Sequence, residues 1–520
     1  MKKHFILAGG GVTPALKGFT LFSCSSLIFT GLLTVDLNAQ TITITNNNRI
    51  INNKYRNRTL IVNSPINVIA TSPYRGTSLG IYYTNINKLD IQTDASIESW
   101  LDTQGATINQ VDINSKNVAG FHFKGGTKIT TIDLKSGGLM RSVLRGNASI
   151  ETLNIEGTLA GWHQYGGINF RDRNGKINTI TVKQGGKIEQ GIRNNNGTIQ
   201  TLTIQGQVQG GVHNNQRGKI NTITVQGGTI HNGVRNNNNG TIQTLTINSG
   251  TINGGITNSK TIGSISVSGS TIMGTIENKQ GGTISNDITI NNGGSVGAIN
   301  NEGTMQNITN NGTLSKITNS GTMKVITTKD GSLNNQGTIE SLKITSGDFN
   351  LNNNPEEGKI TQIEINGNGN ININDNMNIG YQDGISTFRI ADNAAPTLSF
   401  GVVRTAITAQ ETYPTVRLIN TNNANSTQAK VAIDKLIISL VGEDTQIGKS
   451  VSLANSVSGA ANSGLGNVYI KNAEFSQKLK ESGFYGKFNL YTQTVDTRFN
   501  SNLGAAGLFS QVFINQLGRR

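Results

Sequence analysis

The sequence is poor in cysteine, proline, aromatic residues and charged residues, and each deficit excludes a class of protein. Cys24 is the single cysteine in 520 residues, which excludes a disulfide framework and a cysteine metal site. Six prolines are too few for collagen, which also needs glycine at every third position. Aromatic residues make up 5% and charged residues 14% of the chain, which is low for an ordinary enzyme core.

Glycine and asparagine are in excess. The chain has 64 glycines, and with about 70 asparagines the two types make up about a quarter of it. Valine and isoleucine are frequent and periodically placed, which excludes a charge-driven disordered chain. The length would accommodate about three or four ordinary domains, but this composition favours one long β-solenoid with polar turns.

The first 39 residues are typical of an export signal. A basic start precedes an uncharged apolar run over residues 18–35, and cleavage is predicted between Ala39 and Gln40. Two alternatives remain open. One is a membrane anchor, because the run is close to the minimum length for spanning a bilayer. The other is a lipoprotein acylated at Cys24. Cleavage after Ala39 would leave no cysteine in the mature chain, which suits an oxidising compartment.

The unit I-x-x-[IVL]-x-[IVL] recurs along most of the chain. Most neighbouring copies are 20 to 22 residues apart, and one step of 27 coincides with an insertion near Trp162 and His163. Within residues 284–336 a shorter motif repeats every 9 residues, which predicts narrower turns of the same solenoid. The copies begin at Ile86, Ile108, Ile129, Ile150, Ile177, Ile199, Ile220, Ile242, Ile262, Ile339, Ile360 and Ile385.

Each copy predicts one strand of a parallel β-helix, because hydrophobic and polar residues alternate within it. Coils stacked about 4.8 Å apart pair their backbone groups with the coils above and below, and their inward side chains form one continuous core. We therefore predict an all-β fold with a right-handed parallel β-helix over residues 40–397, with about 21–22 residues per coil. The predicted core residues in four copies are Ile180, Val182, Leu202, Ile204, Ile223, Val225, Leu245 and Ile247.

Glycine and asparagine concentrate between the copies, at the predicted corners. Both residue types tolerate the left-handed backbone that tight corners need. Asparagines at the same corner of successive coils are also able to stack their amides into a hydrogen-bonded ladder.

The repeats fade after about Ile390, and the C-terminal part has a different pattern. Longer strand-like runs over residues 398–499 predict a β cap that covers the open end of the solenoid. Apolar residues at helical spacing, from Leu503 to Leu517, predict a short amphipathic helix over residues 500–520.

An export signal, an Asn/Gly/Thr-rich solenoid, a cap and a terminal helix together resemble the passenger of a type V autotransporter. The ending Leu508-Phe-Ser-Gln-Val-Phe-Ile-Asn-Gln-Leu-Gly-Arg-Arg520 is similar to the linker helix of autotransporters from Helicobacter- and Campylobacter-like bacteria, including the vacuolating cytotoxin family. This resemblance implies an exported protein of a Gram-negative bacterium and an outer-membrane translocator barrel. The barrel strands are absent from this sequence. We therefore expect a truncated or split protein, or export through a separate translocator.

The residues that would carry chemistry are scattered. His4, His122, His163, His213 and His231 lack the spacing of metal ligands, and there is no G-x-S-x-G nucleophile elbow. A carbohydrate-active β-helix needs clustered carboxylates. We predict no enzyme activity, no catalytic or metal-binding residue and no cofactor. The nearest candidates are Arg171-Asp172-Arg173, Glu356-Glu357 and an outward ladder of Asp90, Asp112 and Asp133.

The net charge is +14, and +12 once the predicted signal is removed. A basic solenoid favours anionic surfaces such as glycans, lipopolysaccharide or host membranes. Lysine and arginine are spread evenly, and aromatic residues for stacking on bases are sparse, so we predict no nucleic-acid partner. Outward Thr-x-Thr pairs such as Thr179 and Thr181 are found in ice-binding solenoids, although β-branched residues also suit any exposed strand.

These observations predict a non-enzymatic surface protein. We expect an adhesin-like or virulence-associated passenger located at the cell surface, at the outer membrane or outside the cell. Its expected partners are glycans or proteins of host or bacterial surfaces and an outer-membrane translocator. Two alternatives remain open: a secreted toxin of the vacuolating type, and a carbohydrate-active β-helix enzyme.

Overall fold

The computed structural model describes residues 41–66, 77–141, 144–161, 167–170, 175–407, 412–421, 427–440, 450–460, 467–481, 484–489 and 494–499. The predicted signal, with its cleavage site at Ala39 and Gln40, and the predicted helix over residues 500–520 lie outside them. The chain divides into two compact units, Met1–Gly210 with Arg217–Ile220 and Gly211–Gln216 with Asn221–Arg520. Each unit contains a parallel β-solenoid, which confirms the all-β prediction.

The strands before residue 211 combine long strands with strands of two or three residues. A 3₁₀ helix spans Asn53–Tyr55. The strands are β1 (Thr41–Thr43), β2 (Ile50–Ile51), β3 (Arg58–Val62), β4 (Pro65–Ile66), β5 (Thr77–Tyr82), β6 (Asn85–Ile91), β7 (Ser96–Gln104), β8 (Thr107–Ile113), β9 (Val118–Leu134), β10 (Leu139–Met140), β11 (Leu144–Ile155), β12 (Thr158–Leu159), β13 (Ile168–Phe170), β14 (Lys176–Val182), β15 (Lys187–Ile188), β16 (Ile192–Asn194), β17 (Thr198–Ile204) and β18 (Gln207–Val208).

A regular coil of the first unit has one long strand and two short ones. β14 pairs in parallel with β11 on one side and β17 on the other, while β15 and β16 pair with β12 and β13. Three parallel ladders therefore surround the core. Along β14, Ile180 and Val182 are fully buried and the threonines between them are partly exposed. The eight predicted core residues, in both units, are all 0% exposed.

The strands from residue 212 onward begin with the same alternation of long and short. They are β19 (Val212–Asn214), β20 (Lys219–Gln226), β21 (Thr229–Ile230), β22 (Val234–Asn236), β23 (Thr241–Asn248), β24 (Thr251–Ile252), β25 (Ile256–Asn258), β26 (Thr261–Ser268), β27 (Thr271–Asn278), β28 (Thr283–Ile290), β29 (Ser295–Asn301), β30 (Thr304–Asn310), β31 (Thr313–Asn319), β32 (Thr322–Thr328), β33 (Gly331–Asn335), β34 (Thr338–Ile344), β35 (Phe349–Asn353), β36 (Lys359–Ile365) and β37 (Asn370–Asp375).

Within the second unit the coil changes from three faces to two. The first residues of β27 pair with β24 and its last residues pair with β25, so one strand replaces two. From there β30 pairs with β28 and β32 on one face, and β31 pairs with β29 and β33 on the other. Thr304 is aligned with Thr322, two motif lengths further on, so each 9-residue motif forms half a coil. The prediction of narrower turns is confirmed.

The remaining elements follow β37. A 3₁₀ helix spans Ala454–Ser456 and the helix α1 spans Gln477–Glu481. The strands are β38 (Tyr381–Gln382), β39 (Ile385–Ile390), β40 (Thr397–Ile407), β41 (Thr412–Tyr413), β42 (Val416–Asn420), β43 (Lys430–Leu440), β44 (Ser450–Ser452), β45 (Val457–Ser458), β46 (Val468–Ile470), β47 (Ala473–Phe475), β48 (Phe484–Asn489) and β49 (Thr494–Phe499).

Parallel stacking continues past residue 398, where the sequence predicts the start of a cap. β40 spans that boundary and pairs in parallel with β37 and β43, and β43 pairs with β46 and β47. The predicted boundary thus falls within a strand, because buried and exposed positions still alternate there without the repeat motif. The antiparallel sheet of β44, β49 and β48 departs from the parallel pattern. In the part of the chain that the structure describes, no helix is long and apolar enough to cross a membrane.

Buried asparagine side chains form a ladder through the second unit, as the corner composition predicts. In seven successive pairs, Nδ2 of one asparagine donates to Oδ1 of the asparagine one coil further on, over 2.8–2.9 Å. Nδ2 groups also donate to backbone carbonyls of the next coil, for example those of Thr261 and Thr283. The ladder consists of Asn214, Asn236, Asn258, Asn278, Asn301, Asn319, Asn335 and Asn353, all at most 1% exposed.

Candidate functional site

The three aspartates of the predicted outward ladder are in register. Asp90 on β6 is aligned with Asp112 on β8, which is aligned with Asp133 on β9. Lys88 Nζ lies 2.7 Å from Asp112 Oδ2 and 3.5 Å from Asp90 Oδ2. Lys135 Nζ lies 2.7 Å from Asp133 Oδ2 and 3.4 Å from Asp112 Oδ1. The column is therefore a network of alternating charges and not an acidic surface.

The same contacts determine how these carboxyl groups titrate. Burial alone would raise the pKa of Asp112, but hydrogen bonds from Lys88 and Gln110 and the charge of Lys135 hold that pKa below its usual value. Burial also opposes the lowered pKa of Asp133, which is produced by donation from Lys135 and Asn154. A general acid needs a raised pKa, so two ionised carboxylates that are both engaged by donors do not supply one.

The other candidates of the sequence are not brought together. Arg171, Asp172, Arg173, His4 and His163 lie outside the described residues. Glu356 and Glu357 are exposed in a turn before β36. Within the ranges that the structure covers, no three histidine, cysteine or acidic side chains are grouped so as to hold a metal ion.

A cluster that the sequence motifs do not reveal lies on the outward side of β7 and β9. Asp102 is only 6% exposed and is aligned with His122. Asp102 Oδ1 is 3.2 Å from His122 Nδ1, and Oδ2 accepts hydrogen bonds from Lys124 Nζ and from the Thr77 hydroxyl, each at 2.9 Å. The ring of Trp100 meets the His122 ring edge-on, with 6.2 Å between the ring centroids.

These partners hold Asp102 in its ionised form. Burial alone would raise the pKa of its carboxyl, but hydrogen bonds from His122, Lys124 and Thr77 and the charge of Lys124 lower that pKa below its usual value. A buried carboxylate with donors on both oxygens is a stable anchor that orients its neighbours.

Sequence reasoning missed the cluster because Asp102 and His122 lie outside the I-x-x-[IVL]-x-[IVL] copies. The available signal was their separation of 20 residues, which equals one coil step in this region. Applying the step to every charged residue, and not only to the repeat motif, would have placed the two side by side. We expected His122 to be an isolated solvent-facing or loop residue. It is instead a strand residue, paired with a buried carboxylate.

A shallow groove follows one corner of the first unit. Its volume is about 610 Å³, and it includes the ion pair between Glu156 Oε1 and Lys183 Nζ at 2.6 Å. Gly137, Gly157 and Gly185 line it, so the recess reflects missing side chains at successive corners. The groove is polar and open, and it offers surface contacts without a cluster of reactive groups.

The threonine columns of the sequence are also present. Thr179 is aligned with Thr201, and Thr181 with Thr203. In the coil before them, Asn154 occupies the position of Thr181. The Thr-x-Thr array therefore covers two aligned coils of the first unit and does not extend to a third coil on that side.

The comparisons with known proteins leave the family open. No protein-family model matches the chain, and no curated protein is similar to it.

Proposed function

We propose that this chain is an exported, non-enzymatic passenger of the autotransporter type. It acts at the surface of a Gram-negative bacterium as an adhesin, and a separate outer-membrane translocator delivers it. The observation that carries the proposal is the parallel β-solenoid, whose outward strand positions form in-register polar columns over successive coils. Such repeated polar faces provide an extended contact surface, as in other solenoid proteins.

The carboxylates support a binding role over catalysis. Each aspartate of the column Asp90, Asp112 and Asp133 contacts a lysine, and both oxygens of Asp102 are engaged. Hydrolysis of glycosides needs one carboxylic acid that is protonated at working pH beside one free carboxylate. We expect the purified chain to leave a broad panel of polysaccharides intact, and turnover that is lost in Asp112→Asn with Asp133→Asn would refute this part of the proposal.

Surface display is tested on intact cells. External protease should remove the chain from living cells while a periplasmic marker protein stays intact. A deletion strain should adhere less to host cells or neighbouring bacteria, and the restored chain should recover adherence. Recovery of the protein only in the cytoplasmic fraction would sink the proposal.

A further inference from the structure

Four polar or aromatic side chains share the outward side of two neighbouring coils in the first unit. Trp100 and Asp102 alternate with buried Leu101 on β7, and His122 and Lys124 alternate with buried Phe123 on β9. Trp100 remains partly exposed, as do His122 and Lys124. The chain has only two tryptophans, so an indole on an outward strand position beside three charged or titratable groups is unusual for it.

Asp102 fixes the orientation and the tautomer of His122. An ionised carboxylate only accepts hydrogen bonds, so the proton of neutral His122 lies on Nδ1, and Nε2 is an acceptor. Among the described residues, no hydrogen bond to Nε2 is formed. Lys124 uses one of its three N–H donors for Asp102, which leaves two for a ligand. The pair therefore presents an acceptor and a donor side by side.

The surface next to Trp100 is open on the following coil. The residue aligned with Trp100 there is Gly120, which has no side chain. The His122 ring meets the indole at 61° and does not lie parallel to it. A flat ligand that contacts the indole would have its polar edge directed at His122 Nε2 and Lys124 Nζ.

This combination matches a sugar better than other ligands. A pyranose ring has an apolar C–H face that packs on an aromatic ring, and adjacent hydroxyls that donate and accept at its edge. A membrane surface would require a larger apolar patch than one indole flanked by charges. We propose that Trp100, His122 and Lys124 form a saccharide-binding site, with Asp102 as the residue that positions His122. The proposal rests on the adhesin function and names the class of its ligand.

The test uses the full purified chain and is independent of its location in the cell. The variant Trp162→Phe leaves Trp100 as the only tryptophan, so its fluorescence reports on this position alone. The chain is first applied to an array of neutral and sialylated mammalian oligosaccharides, and the bound oligosaccharides are then titrated in solution. We expect saturable binding with a change in Trp100 fluorescence. Binding of none of the oligosaccharides, or binding without any change in that fluorescence, would overturn the proposal.

Variants separate a binding role from a structural one. Trp100→Ala and His122→Ala should each weaken binding at least about tenfold by calorimetry, as expected for central contacts. Trp100→Phe retains an aromatic ring and should keep most of the affinity, which covers the case that Trp100→Ala does not fold. His231→Ala is the matched histidine control and should bind like the parent protein. Unchanged affinity in folded Trp100→Ala and His122→Ala would refute the site.

Failure of this inference is distinguishable from failure of the adhesin function. Surface-displayed protein whose cell adherence is unaffected by Trp100→Ala would refute the saccharide site and leave the adhesin function standing. Purified protein that binds oligosaccharides through Trp100 but is never found at the cell surface would support the site and refute the surface role.

Discussion

At the scale of single residues, asparagine inside a hydrophobic core needs an explanation, because a buried amide without partners costs free energy. Each asparagine in the interior of the ladder has its Oδ1 occupied by the preceding coil and its Nδ2 by the following one. Nδ2 additionally donates to a backbone carbonyl. The ladder is therefore stable only as a continuous series, since each amide completes its two neighbours.

Asn278→Ala should therefore destabilise the protein although it removes only a small side chain. The change leaves Asn301 Oδ1 buried without its donor and removes one acceptor from Asn258 Nδ2. We expect a loss of about 2–4 kcal/mol in the free energy of unfolding, measured from urea unfolding curves. The control is Asn372→Ala, in an exposed pair with Asn350, which should change stability by less than about 0.5 kcal/mol. Equal effects of the two changes would contradict the role of burial.

Asp102 should make stability depend on pH in the acid range. Its pKa in the folded protein is below that of the unfolded chain, so its contribution is fully present above the unfolded value of about 3.9 and is lost as pH falls through the folded value. Asp102→Asn should lower stability by about 2 kcal/mol at pH 7 and flatten the loss below pH about 4. Thermal melting from pH 7 to pH 2.5 measures this. The control is Asp434→Asn, in an exposed pair with Lys471, and a profile for Asp102→Asn as steep as that of the control would refute the prediction.

At the scale of elements, the corner after each long strand depends on two adjacent glycines that are needed for different reasons. Gly185 has a φ of +85°, in the left-handed region, and a Cβ there would meet no atom within 4 Å. Gly186 has ordinary φ, but a Cβ there would overlap the backbone carbonyl of Ile155 on the preceding coil. The first glycine provides a backbone conformation, and the second allows the coils to approach each other.

Alanine at the two positions should separate these causes. Gly185→Ala should cost about 1–2 kcal/mol, the usual penalty for an L-residue with left-handed backbone. Gly186→Ala should cost about 3 kcal/mol, because the carbonyl of Ile155 belongs to a ladder that cannot shift without moving its coil. The melting temperatures of the two variants provide the comparison. A Gly186→Ala protein as stable as Gly185→Ala would show that the coils can move apart at little cost.

The sequence predicted those elements whose cause is local and repeated. Alternation in segments such as Ile177–Val182 fixes an inward and an outward side, and the constant step then aligns the copies. It did not predict that β27 replaces two strands. That change depends on whether the chain turns near Gly274, as it does near Gly255, and both sites contain glycine. The Asp102 cluster was missed because contacts between coils are set by register and not by neighbours in the chain.

At the scale of the whole molecule, repeated coils imply that stability is local. In a solenoid each coil contacts mainly its neighbours, so an effect at one coil should fade with distance along the stack. The asparagine ladder makes this measurable within the second unit, because Asn278 bonds directly to β25 through Asn258 and to β29 through Asn301. β43 lies far along the same unit and has no ladder asparagine.

Hydrogen exchange of the Asn278→Ala protein should therefore be uneven. Peptides that cover β25 and β29 should exchange at least about tenfold faster than in the parent, because breaking the ladder opens the coils on either side. Peptides that cover β43 should exchange within about twofold of the parent rate. Mass spectrometry of both proteins measures this, with Asn372→Ala as the reference for a harmless change. A uniform increase across the second unit would mean that it opens as one cooperative block, and the nearest-neighbour description of this solenoid would then be wrong.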